Sequence, residues 1–493
     1  MRQVKALSAG AVMFLAAVLV GAPAARLAGS ENIASDTVAE VPHAGASDGA
    51  FRHLQALQDI AVANGGNRAA GTPGYDSSAE YIAERLKEAG YLVRFEAFEF
   101  PFFEERTPPV LAVDVGGEPE EAAPGSVLRT LTNSGSGVVT GRIGAVNLGL
   151  GPEPLPASSS GCEAADFHGF ERGSIALIRR GTCTFQVKVE NALAAGAAGV
   201  IIMNEGTDGR KDAFSGQLGK PVAIPAVGVS YEFGRSLDAK AQDGISVRLA
   251  VDAVTGRRPT RNVVADAPAN GHGSLIIVGA HLDSVPEGPG INDNGSGSAA
   301  VLEAALRLAP FLAQAPIDVR FAFWGAEERG LLGSRHHVAS LSEEERRRIV
   351  LYVNLDMVGS PNFVRYLQGP ARLGDESAAL ARREILDYFQ QHHLPIEERE
   401  AVRTGTDDAS FSQKSIPTLG LYTGAGGRKS ESQAGVFGGE AGRPYDACYH
   451  RACDTIANIN REVLEENTRA VVRALTAVAM PASRSSSAAE PAR

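Results

Sequence analysis

One stretch constrains this 493-residue chain more than any other: residues 275–301, LIIVGAHLDSVPEGPGINDNGSGSAAV. Its apolar start reads as a buried strand that ends on His281 and Asp283, and Asn292-Asp293-Asn294 then opens a helix. A strand that stops at an imidazole and a carboxylate, with a second carboxylate at a helix start, offers metal ligands rather than core filler.

The length implies about three folding units, some of them discontinuous. With 44% hydrophobic and 21% charged residues the composition is that of a soluble globular protein, and 55 Gly imply many tight turns. A net charge of −11 argues against a nucleic-acid partner, because phosphate binding needs a positive face, and is compatible with a cation site. At the N-terminus Arg2 and Lys5 precede an apolar run over 6–21 and the small residues Ala22-Pro23-Ala24. Residues 1–25 therefore read as a secretory signal peptide. A membrane anchor is the weaker reading, since the run is shorter than the roughly 20 residues a span needs. The expected product is secreted and free of the membrane. Export suits four cysteines grouped as Cys162 with Cys183 and Cys448 with Cys453, read as two short-range disulfides; zinc held by cysteine competes, but the pairs lack CxxC spacing.

Residues 26–47 are Ala/Gly/Ser-rich without periodicity and read as a flexible leader or pro-segment. Over 48–133, Ala79, Ile82, Ala83 and Leu86 fall at helical spacing behind Asp76-Ser77-Ser78, with Gly90 as terminator, and Val93, Phe95 and Ala97 alternate as a strand. Residues 134–253 change character, to short Val/Ile strands punctuated by Gly and Pro and one Ala-rich helix. There the pair Lys188 and Glu190 reads as a solvated helix face rather than a catalytic pair. From 254 to 480, strands at 275–279, 319–324, 349–355 and 418–422 alternate with helices at about 296–309, 329–340, 375–391 and 461–480. That alternation predicts an α/β fold, a mostly parallel sheet covered on both faces with its site at the C-terminal strand ends. Residues 481–493 read as a disordered tail.

Metal-capable side chains fall at those strand ends: His281, Asp283 and Asp293, then Glu327 and Glu328, then Asp356, then His450 between Cys448 and Cys453. Imidazole and carboxylate suit zinc. Five ligand candidates, His281, Asp293, Glu328, Asp356 and His450, exceed what one ion with an open position needs. Two ions sharing a bridging carboxylate use all five. Adjacent Glu327 and Glu328 cannot point the same way, which suggests that one binds metal and the other acts as general base. Asp283, on the same face as His281, suits a partner that fixes the imidazole tautomer. Trp324 reads as core.

Two resemblances follow. GSIALIRRGTCTFQVKVENALAAGAAGVIIMNE with IPAVGVS resembles the protease-associated (PA) domain, a lid or substrate-guiding insert in several secreted and vacuolar proteases. GAHLDSV, GINDNGSGSAAVLE, WGAEERGLLGS, NLDMVG and CYH, in this order, resemble the secreted bacterial double-zinc aminopeptidases, whose wider family includes glutamate carboxypeptidases, glutaminyl cyclases and the transferrin receptor. The resemblance implies a three-layer αβα zinc-exopeptidase fold with an inserted β-rich PA domain. It implies two Zn2+ per chain, His281 and Asp356 on one, Glu328 and His450 on the other, and Asp293 bridging. Glu327 would be the general base, Tyr449 would stabilise the oxyanion, and Asp356 would help hold the substrate's α-amine. The chain departs from the pattern at Thr406-Asp407-Asp408, where many relatives carry a Ser-Asp-His-like run.

The reading is a secreted zinc aminopeptidase acting on peptides or proteins with a free N-terminus. A carboxypeptidase or dipeptidase is the alternative, for which Arg428 and Arg443 are the available cations. A glutaminyl cyclase, using one zinc, and a non-catalytic binding protein stand further off. Neither calcium nor an oligomeric state is written in the sequence.

Overall fold

The computed structural model describes residues 49–479, except 116–117, 152–157, 269–272, 371 and 400–404. The expected signal peptide, leader and tail lie outside the described residues. Among those described, no helix is long and apolar enough to cross a membrane.

Four parallel strands form the centre of the sheet, in the order Thr418–Tyr422, Ile349–Leu355, Leu275–His281, Asp318–Trp324. Every residue of Leu275–His281 is buried, as a strand covered on both faces must be. One face is packed by the helices Gly49–Ala63, Pro73–Glu88, Gly297–Leu312, Glu376–Gln391 and Arg461–Ala479, which share a core built around Leu57, Ile82, Val301, Phe389 and Val471. The other face carries Leu332–Ser340 and Asp408–Ser412, with Phe411 of the latter packed on Trp324 and Tyr352. The architecture is three-layered αβα. Helix starts differ slightly from the sequence spacing: Pro73–Glu88 begins earlier than Ala79 suggests, because the Thr72 side chain accepts from the Tyr75 amide and Pro73 pre-sets the first turn.

The strand expected at Val93–Ala97 is far longer. Leu92–Val115 pairs antiparallel with Ser246–Asp266 from Leu92↔Asp266 to Val113↔Val247, with register shifts between Glu105 and Val110. Pro101, Pro108 and Pro109 hide it in the sequence, since proline normally interrupts a ladder. This ribbon carries the sheet beyond the first core into a second one, through Gly137–Ala145, Ile175–Arg179, Gly199–Met203, Ala226–Val229 and Leu128–Thr130. Two further clusters centre there on Leu177, Ile201 and Leu249 and on Ile178, Val200 and Val189.

In that second region Phe185–Ala195 is a helix capped by Thr184, and Cys162 and Cys183 are joined. Lys188 corrects the expectation of a solvated face: it is fully buried, its ammonium donating to the Ser160 carbonyl and lying 3.6 Å from Cys162 Sγ. Helical spacing alone does not reveal that the loop before Cys162 folds over this face. Glu190 is partly exposed and paired with Lys220 at 2.7 Å.

Candidate active site

Adjacent strands deliver the chemistry to one edge of the sheet. Leu275–His281 ends on His281, and Ile349–Leu355 is followed at once by Asp356. After Trp324 the chain turns through Ala326 at φ +55° to present Glu327 and Glu328. Asp293 lies in an irregular turn, Ile291–Ser296, rather than opening the helix directly; the regular helix starts at Gly297. His450, at φ +57°, sits in a short loop closed by the Cys448–Cys453 disulfide.

These side chains converge. His281 Nε2 lies 3.3 Å from Asp293 Oδ1 and 3.4 Å from Asp356 Oδ1. His450 Nε2 lies 3.0 Å from Asp293 Oδ2 and 3.2 Å from Glu328 Oε2. Among the described residues three ligand triads result: His281/Asp293/Asp356 and Asp293/Glu328/His450, which share Asp293, and His281/Glu327/Glu328, in which the two adjacent glutamates approach one imidazole although their neighbouring places in the sequence suggested divergence. Glu327 Oε2 stands beside them, 3.9 Å from His281 Nε2.

Asp283 works in two directions. Its carbonyl lies 3.1 Å from His281 Nδ1 while its carboxylate is 3.8 Å away, so the main chain is the nearer acceptor and leaves Nε2 free to face the carboxylates. The Asp283 carboxylate accepts instead from the amides of Glu327 at 3.0 Å and Glu328 at 3.4 Å. It thereby fixes the main chain from which both glutamates project.

Charge is the dominant feature. Asp283, Asp293, Glu327, Glu328, Asp356 and Asp407 crowd a site whose cations are two imidazoles and the buried Arg68. Burial and the Asp293 carboxylate raise Glu328 to about 7. Burial, with Asp407 and Asp356 nearby, pushes Glu327 well up. Burial alone would lower His450, but its bonds to Asp293 and Glu328 outweigh it and bring it to about 10. Glu328 Oε1 and Asp356 Oδ1 are buried without a hydrogen-bond partner. Orphaned carboxylate oxygens in an excess of negative charge fit divalent cations, which the two triads that share Asp293 would hold.

Comparison with known proteins agrees with this chemistry. Residues 262–475 match peptidase family M28 and residues 146–237 match the PA domain. An aminopeptidase of Pseudomonas aeruginosa is 44% identical over 434 residues, spanning 85% of this chain and 78% of the relative. The chain belongs to peptidase family M28. This M28 chain is a metallo-aminopeptidase with a PA domain. A probable lipoprotein aminopeptidase of Mycobacterium tuberculosis is 36% identical, covering 87% of this chain and 84% of that one. Among solved structures, the aminopeptidase of Aneurinibacillus sp. strain AM-1 superposes with a TM-score of 0.63 at 27% identity, covering 88% of this chain and 94% of that one. A zinc aminopeptidase of Bacillus subtilis gives 0.59 at 26%, covering 87% and 94%.

The M28 site also contains residues that sequence reasoning missed. Arg68 is fully buried, and its guanidinium donates to the carbonyls of Leu282, Pro289 and Gly290, pinning the loop between His281 and Asp293. Nothing marks it in GGNRAAG, because its partners are main-chain oxygens. Asp454 accepts from the amides of Asn292 at 2.8 Å and Asp293 at 3.0 Å; its signal was its place directly after Cys453. At the divergent run, Thr406 Oγ1 donates to Asp356 Oδ2 at 2.6 Å. Asp407 and Asp408 are buried, each raised to about 7 chiefly by that burial. Tyr449 stacks on His450 with ring centroids 3.9 Å apart. Burial and the carboxylates of Asp293 and Glu328 push its phenol pKa up.

Proposed function

We propose that this M28 chain is an exported, zinc-dependent aminopeptidase that binds two Zn2+. His281 and Asp356 would hold one, Glu328 and His450 the other, with Asp293 shared. The observation that carries this reading is Asp293, whose two oxygens are divided between two imidazoles. The similarity to the zinc aminopeptidase of Bacillus subtilis supports the choice of metal. Export rests on the basic, apolar and small-residue succession over 1–25.

When bound, zinc supplies Lewis acidity for the scissile carbonyl and acidifies water. Glu327 accepts the proton from the attacking water and returns it to the leaving amine. Its placement favours this role: the main-chain anchor on Asp283 turns the carboxylate toward the triads, while Glu328 carries the ligand oxygen. Tyr449 donates its phenolic hydrogen to the developing oxyanion, with the ring held against His450. Asp356 also faces the α-amine of the substrate. Arg428 and Arg443 do not build a carboxylate clamp. Arg428 is exposed and spends a hydrogen on the Gly442 carbonyl, and Arg443 pairs at the surface with Glu440.

Peptides with free and N-acylated termini test the reading, with metal content measured alongside. Cleavage restricted to free termini, two zinc ions per chain and reversible loss of activity on chelation are expected. Equal cleavage of N-acylated peptides, or full activity after metal removal, would overturn it.

A further inference from the structure

Trp324, which reads from the sequence as simple core, is the first member of a buried hydrogen-bonded series that ends on Asp356. Its indole Nε1 donates to Tyr352 Oη at 2.9 Å, and Tyr352 Oη donates to Asn354 Oδ1 at 2.7 Å. Asn354 Nδ2 donates to Thr406 Oγ1 at 3.1 Å, and Thr406 donates to Asp356 Oδ2 at 2.6 Å. Trp324 and Tyr352 are fully buried and Asn354 almost so.

The direction of this series is fixed by its first member. An indole N–H can only donate, so Tyr352 must use its one hydrogen on Asn354. The amide of Asn354 is thereby oriented with its NH2 toward Thr406, whose hydroxyl hydrogen is left for Asp356. Each bond polarises the next, most strongly over the first two, which are fully buried. The result is asymmetric at the carboxylate: Oδ2 is held by Thr406, while Oδ1 has no hydrogen-bond partner and stands 3.4 Å from His281 Nε2.

Two further features keep this arrangement in place. The Tyr352 ring stacks on Phe411 with centroids 3.8 Å apart and planes 9° from parallel. Gly279, on the strand that leads to His281, leaves the space: a Cβ there would come within 2.9 Å of both Trp324 Nε1 and Tyr352 Oη.

We infer that Trp324, Tyr352, Asn354 and Thr406 form a one-way donor relay that positions Asp356, presenting Oδ1 as the metal-binding oxygen and setting the zinc affinity of the His281/Asp356 half of the centre. The inference rests on Asp356 being a zinc ligand. The four are positioning residues, acting through the carboxylate and not on the substrate. The divergent segment at Thr406 thus contributes to the metal through Asp356.

Stepwise competition of the zinc-loaded protein with a chromogenic chelator tests the relay. Thr406→Val should weaken one of two zinc sites by about 10- to 100-fold, and Tyr352→Phe, which keeps the stacked ring, by about tenfold. The second site should be unchanged in both, and Thr406→Ser should restore the affinity. Wild-type affinity in a folded Tyr352→Phe or Thr406→Val protein, with only the melting temperature lowered, would reduce the series to packing and overturn the inference. Asp356→Asn separates this from the underlying assignment: if it still retains both ions with wild-type affinity, Asp356 is no ligand; if it loses one while Thr406→Val loses nothing, only the relay fails.

Discussion

Asp293 Oδ2 and His450 Nε2 stand 3.0 Å apart, although one belongs to the turn after the first central strand and the other to a disulfide-closed loop near the end of the chain. With Asp293 Oδ1 committed to His281, this contact makes Asp293 the carboxylate common to the His281/Asp293/Asp356 and Asp293/Glu328/His450 triads. Its loss must therefore be felt by both halves of the site.

Asp293→Ala should lower bound zinc from two ions per chain to fewer than one, and activity by more than ~100-fold. His450→Ala, which touches one triad, should leave one ion in place. Elemental analysis after exhaustive dialysis checks both. Retention of two ions by the Asp293 variant would refute the shared role.

Glu327→Gln keeps the size of the side chain and its main-chain anchor on Asp283 but removes the base. The turnover number should fall by roughly 10² to 10⁴, with zinc content near two per chain and KM little changed. Loss of zinc in this variant would instead make Glu327 a ligand.

How much of this was written in the sequence follows from which contacts side chains make. The four central strands were legible because burial on both faces demands unbroken apolar runs, as in LIIVGAH. His281, Glu328 and Asp356 were legible because each stands at or just beyond the end of such a run, whereas Asp293 and His450 lie in an irregular turn and a disulfide-closed loop, away from any strand end, and were marked only by GINDNGS and CYH. The ribbon Leu92–Val115 was not, since three prolines mask it and its partner lies far along the chain. Arg68 was invisible as a site residue, and Asp454 was marked only by its place after Cys453, because they hold main-chain carbonyls and amides, groups that every residue type carries. Lys188 misled for the opposite reason: a charged letter at helical spacing gives no sign that a loop closes over it.

Arg68→Met should be strongly destabilising. It leaves the carbonyls of Leu282, Pro289 and Gly290 without their buried donor and removes a buried cation that lies in the field of Asp283, Asp454 and Asp293. A cost of about 3–5 kcal/mol is expected, lowering the melting temperature by roughly 10 °C. Calorimetry of the zinc-loaded variant measures it, and a shift under about 2 °C would show that the loop holds itself.

Acid should weaken the tie between the long ribbon and the helix Leu332–Ser340. Glu96 on the ribbon lies 2.9 Å from Nδ1 of the fully buried His337, 3.0 Å from Arg94 and 3.4 Å from Asn262. Burial on its own would raise this carboxyl, but the bond to His337, with Arg94 and Asn262 adding, brings it from 4.5 down to about 2. A depressed pKa means that the contribution is present in full above the unfolded value of 4.5 and is lost as pH falls from there toward 2. Its ceiling is about 3 kcal/mol, of which more than a third should be gone by about pH 3.5. The check is the melting temperature of metal-free wild-type protein minus that of metal-free Glu96→Gln, followed from pH 7 to pH 3.5. The gap should narrow steadily below pH 4.5, and a gap that stays constant would mean that the ionised form of Glu96 adds nothing to the tie.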